Sequence, residues 1–131
     1  MDRPDPGLAL VLGAAIGLID AVLTLLLGIP MAAEFAFWTL ASAAAVAVVL
    51  QRNAPAPFAT LILVFVVAGV FVGAPQWVFL DRYYANYPTL PVAPGWQLLA
   101  FAVAIGVVWG ALTGAVAWAI ARKRAVRSTP A

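Results

Sequence analysis

The residue best placed to do chemistry in this sequence is Asp20, an acid set between Ile19 and Ala21 near the middle of a long apolar stretch. A carboxyl at the centre of a membrane-spanning helix costs about 2.5–3.5 kcal/mol on insertion scales, so such residues face a bundle interior or a water-filled cavity. At helical spacing Gly13 and Gly17 precede Asp20 on one face and Thr24 follows at i+4. The result is a narrow stripe of small and polar side chains in an otherwise apolar segment. Two readings of it stand side by side. In one, Asp20 carries a proton or cation, or contacts a polar substrate. In the other, it is protonated and hydrogen-bonds a neighbouring helix or a partner subunit. No Lys or Arg lies inside an apolar stretch to form an ion pair with it.

Glu34 falls about one turn into the second apolar stretch. An acid there complements the positive end of a helix dipole. The alternative is an outer gate or mouth for the same path as Asp20. A third group lies further on, where Trp77, Phe79, Tyr83, Tyr84, Tyr87 and Trp96 cluster around a proline-rich loop. Trp and Tyr favour the headgroup level of a bilayer, which predicts an interfacial belt. The sharper reading is an aromatic cage for a cationic or quaternary ammonium ligand, with Asp81 nearby.

The absent chemistry is equally informative. Cysteine and histidine do not occur. Disulfides, haem ligation by either residue and the usual zinc sites are therefore excluded, and no metal or cofactor is expected. Acid–base and nucleophilic catalysis need paired groups, and the spans offer one deep acid. The chain is expected not to be an enzyme.

The elements that must hold these residues follow from composition. Hydrophobic residues make up 66% and charged residues 9%, against about 45–50% and 25% in ordinary soluble domains. Too few polar side chains remain to cover a soluble surface, so lipid is the expected solvent. A helix crosses the hydrocarbon core with about 20 mostly apolar residues. Four segments qualify, at about 7–28, 31–51, 58–80 and 96–121. In lipid every backbone polar group must be paired within the segment, which favours helices. The predicted class is all-α, a single transmembrane domain built as a four-helix bundle. Pro75 is expected to kink the third span, which continues to about Leu80, rather than to end it near Gly73. Tyr87 to Gly95, with Pro88, Pro91 and Pro94, is expected to be an extended loop. The first stretch, Leu8 to Ile29, exceeds the about 7–15 residues of a signal-peptide core. Its start, Met1-Asp2-Arg3-Pro4-Asp5, is not clearly basic, so a retained span is expected.

Small residues recur at intervals of four. Gly106, Gly110 and Gly114 mark the fourth span, Gly69 and Gly73 the third, and Gly13 and Gly17 the first. Such faces let helix backbones approach closely, within one bundle or between chains. Leu99 is expected on a lipid face instead. Orientation follows from the basic residues: Arg3, Arg52, Arg122, Lys123, Arg124 and Arg127 share one side and Arg82 the other. The positive-inside rule then puts both termini in the cytoplasm, with the cytoplasmic membrane of a prokaryote as the expected location. The tail is a basic run rather than a basic surface, so the bilayer and not nucleic acid is the expected partner.

The expected function is that of a non-enzymatic membrane subunit. It would act through helix association with itself or with other membrane subunits. The alternative is a small proton- or cation-coupled transporter, flippase or channel that uses Asp20.

Overall fold

Prolines and their neighbours set most of the helix boundaries. In the computed structural model, which describes residues 3–130, α1 (Pro6–Leu25) opens with Pro6 in its first turn and Asp5 as N-cap. The Asp5 carboxylate accepts from the Leu8 N–H at 3.0 Å, satisfying one of the donors a helix start leaves free. Met1, Asp2 and Ala131 lie outside the described residues. After α1 the chain turns through Gly28, whose φ of +58° suits a residue without a Cβ. Pro30 then caps α2 (Met31–Gln51). Asn53 and Ala56 take left-handed backbone angles in the turn that follows, and Pro57 begins α3 (Pro57–Val78). Thr60 joins the two starts: its hydroxyl accepts from the Asp5 N–H and donates to the Pro55 carbonyl.

The third span departs from expectation at its far end. α3 passes through Pro75 and stops at Val78, where Phe79 leaves helical geometry. Leu80 then opens a separate short helix, α4 (Leu80–Asn86), instead of closing the span. The last helix, α5 (Gly95–Ser128), also exceeds its expected range, because the basic run continues it for two turns beyond residue 121. Alanine, arginine and lysine there are good helix formers, and nothing in the run breaks the helix. Four of the five helices, α1, α2, α3 and α5, are long and apolar enough to cross a membrane. All regular structure among the described residues is helical.

α3 is the centre of the arrangement, with α1 against one side and α5 against another. Leu61, Val64, Phe65 and Ala68 of α3 are fully buried. The glycines lie on these seams. A Cβ at Gly13 would stand 2.5 Å from the Val64 carbonyl oxygen, and one at Gly17 would stand 2.6 Å from that of Ala68. Across the other seam, Gly69 faces Ala102, Gly73 faces Leu99, Gly106 faces Phe65, Gly110 faces Ile62 and Gly114 faces Phe58. Leu99 is thus a packing residue rather than a lipid-facing one. Its Cα would lie only 2.7 Å from a Cβ at Gly73.

α2 is the outlier. It buries only Ser42, Ala45 and Val49, all in its second half. Its first half buries no residue, and a crevice lies between it, α3 and α5, whose walls carry the residues of interest.

Candidate functional site

Asp20 lies on the α1 face turned inward with Gly13, Gly17 and Thr24, and it is 0% exposed. Neither carboxyl oxygen has a hydrogen-bond partner among the described residues. Thr24, expected beside it as a polar neighbour, does not serve the carboxyl. Its hydroxyl donates to the backbone carbonyls of Asp20 and Ala21, at 3.0 and 3.4 Å. This is the usual back-bonding of threonine inside a helix.

The side chains that do face Asp20 come from α2. Glu34 and Trp38 stand against its carboxyl. They lie one turn apart on the first half of α2, and the Trp38 ring also meets that of Phe65 of α3 at 6.0 Å. Two carboxyls facing one another offer acceptors and no donor unless a proton sits between them. When both are charged they repel at short range, and no basic residue among the described residues offsets them. The expectation of one lone deep acid is therefore corrected. Glu34, which the sequence allows as a complement to the helix dipole or as an outer gate for the same path as Asp20, stands beside the Asp20 carboxyl.

The crevice opens from Glu34 between α2, α3 and α5 and has a volume of about 310 Å³. Aromatic rings make much of its wall: Phe35 and Trp38 from α2, Phe101 and Trp109 from α5. Phe35 and Trp109 meet edge to face with centroids 5.9 Å apart. Trp109 is fixed by its indole N–H, which donates to the Ser42 hydroxyl, and that hydroxyl donates to the Trp38 carbonyl at 2.6 Å. Gln76 of α3 also lines the space; it is 7% exposed and makes no hydrogen bond among the described residues. Tyr83 enters from α4. Its phenol is pushed up to about 12, chiefly by burial and next by the charge of Glu34, so it keeps its O–H at neutral pH.

α4 itself is held by the end of α1. Helix C-termini leave carbonyls without partners. Here the Arg82 guanidinium donates to the Leu25 carbonyl at 2.6 Å, and the Asn86 amide donates to those of Thr24 and Leu25 at 2.9 and 3.1 Å. The Tyr87 hydroxyl donates to the Ile29 carbonyl at 2.7 Å. Tyr84 holds the following loop, accepting from the Ala93 N–H and donating to its carbonyl. Tyr83 stacks near both Tyr84 and Tyr87, at 5.3 and 5.2 Å. Trp77 and Trp96 remain exposed, with the Trp77 ring lying over Gly95. Asp81 is exposed, and the negative charge that Tyr83 and Tyr87 experience comes from Glu34 and Asp20 instead. The structure thus sets Tyr83 with Glu34 in the crevice wall, and Asp81 lies outside that wall.

Gln76, Trp38, Trp109 and Ser42 were not singled out from the sequence. Gln76 carried the clearest signal, as an amide placed directly after Pro75 within the third apolar run. No protein-family model, curated protein or solved structure matches this chain.

Proposed function

We propose that this chain is a small, non-enzymatic, multi-pass membrane protein that carries a proton or a small cation by way of Asp20 and Glu34. The observation that carries this reading is the facing of the two acids inside the bundle, with no basic partner, at the base of a crevice. Ionisable residues within spanning helices mark proton and ion pathways, and a second acid supplies the relay position that one acid alone lacks. The basic residues favour an orientation with both termini cytoplasmic, so that Arg82 and the tyrosine cluster face outward.

The test is proton flux into proteoliposomes, read with an enclosed pH-sensitive dye. Asp20→Asn keeps shape and hydrogen bonding but removes the ionisable group. It should abolish flux while the protein remains monodisperse. Flux at the parental rate in both Asp20→Asn and Glu34→Gln would overturn the proposal.

A second reading, a subunit that associates with itself or with other membrane chains, is favoured by the crevice wall. Met31, Phe35, Phe101 and Ile105 form an exposed apolar surface that a partner helix would cover. The small-residue faces that first suggested association are engaged within the chain. A partner would therefore have to use this surface instead. The oligomeric state of the purified protein, with any co-purifying chains, tests this reading.

A further inference from the structure

We infer that the crevice between α2, α3 and α5 binds a lipophilic organic cation, with its positive nitrogen toward Glu34 and its apolar body among the rings of Phe35, Trp38 and Trp109. The inference deepens the carrier reading and rests on it for its physiological sense, since it names the class of cation that would be carried.

Size comes first. A volume of about 310 Å³ lies at the lower end of the range for small-molecule sites, which is about 300–1,000 Å³. A proton alone needs no such space. Charge comes second. Glu34 lines the crevice, Asp20 lies directly behind it, and no Lys or Arg contributes to the wall. The remaining ionisable lining group is the Tyr83 phenol, neutral at physiological pH and an O–H donor. α3 and α5 bring no titratable group. A cation is therefore complemented and an anion repelled.

The wall then separates classes of cation. Hard metal ions take about six or more oxygen ligands. The crevice offers one carboxylate, one amide and one phenol among aromatic rings, so a weakly hydrated organic cation fits it and a metal ion does not. Aromatic faces attract such cations through their quadrupole, most strongly where water is excluded.

An acyl-chain groove is the plain alternative, and Gln76 speaks against it. This side chain lines the crevice at 7% exposure, and its amide is not among the fully buried unpartnered groups, so it opens on the crevice space. Hydrocarbon filling that space would leave the amide without a hydrogen-bond partner, a cost that a groove for hydrocarbon has no reason to carry. A ligand with a polar or charged head gives the amide oxygen a partner.

The experiment compares benzyltrimethylammonium with neopentylbenzene, its neutral isostere, by titration into the full chain in zwitterionic nanodiscs. Quenching of tryptophan fluorescence reports binding, because Trp38 and Trp109 line the site, and empty nanodiscs serve as the blank. The cation should bind about 30-fold or more tightly than the isostere, the factor that corresponds to losing a desolvated charge interaction. Glu34→Gln should weaken the cation by a similar factor and leave the isostere unchanged. Equal binding of the two probes by the parent protein would identify a hydrocarbon groove and overturn the inference without relying on any variant. So would a Glu34→Gln protein that binds the cation as the parent does. Cation binding without transmembrane flux sinks the carrier reading alone, whereas proton flux without cation binding sinks this inference alone.

Discussion

Replacing Gly69 by alanine adds one methyl group to the seam between α3 and α5, and the structure gives it nowhere to go. The new Cβ would lie 2.6 Å from the Ala102 carbonyl oxygen and 3.0 Å from both the Ala102 carbonyl carbon and the Val103 Cα. All three are backbone atoms, so no side-chain rotation relieves the overlap. Ordinary contact begins near 3.4 Å, so the two helices must part locally by about 0.8 Å. A gap of about 0.5–1 Å forfeits a quarter to a half of the attraction at each contact it opens. Overpacking of this kind costs about 1–3 kcal/mol, against which alanine gains up to about 1 kcal/mol of helix propensity. The net expectation is a loss of about 1–2 kcal/mol. Gly7→Ala is the control, because its Cβ would meet only the Asp5 carboxylate, at an unstrained 3.6 Å. That variant should be neutral or slightly stabilised. Unfolding in mixed micelles of increasing SDS content, followed by tryptophan fluorescence, measures both. Equal stability of the two variants would show that the α3–α5 seam is looser than described.

Three further outcomes are expected. Asn86→Ala removes two bonds to the end of α1, at 2.9 and 3.1 Å; amide exchange should rise across residues 80–87 while α3 and α5 stay protected, and unchanged exchange would deny α4 its dependence on this contact. Tyr83 should titrate near 12, above its ordinary 10.0, in an alkaline absorbance titration. The folded state holds this proton more tightly than the unfolded chain, so stability contributed by the neutral phenol is intact below about 10 and lost as pH rises through about 12. Glu34→Gln should lower that value, and an unmoved titration would separate Tyr83 from the acid. Finally, cysteines at 53 and 128 should label from one face of the membrane and a cysteine at 89 from the other; external labelling of 53 refutes the four-span arrangement.

Much of the helical layout was legible because lipid imposes a length and a composition on anything that crosses it. Long apolar stretches separated by Gly28-Ile29-Pro30 and by Asn53 to Pro57 leave few alternatives. The break at Phe79 was not legible, because the apolar run continues through it and α4 depends on the end of α1, far away in sequence. The acid pair was hidden for a related reason. Glu34 sits in the first turn of α2, where its own helix offers a sufficient explanation for an acid. Only the packing of α2 beside α1 turns it toward Asp20. Thr24 misled in the opposite direction, since its spacing matched the stripe while its hydroxyl bonds its own backbone. Glycine spacing indicated close approach but not the partner, and Leu99 was misplaced because the phase of α5 against α3 is a tertiary property.

The central position of α3 also has a consequence for biogenesis. α1 presents Gly13 and Gly17 to α3 rather than to α2, the helix made next, which meets α1 over a smaller area that sets Glu34 and Trp38 against Asp20. About fifty residues separate the end of α1 from the end of α3. At about 5–20 residues per second, translation leaves that interval open for several seconds. Throughout it the nascent α1 carries its glycine face without the helix that covers it. The α1–α2 hairpin therefore stands for that interval without its central helix, and slowing elongation through residues 57–78 should lengthen it.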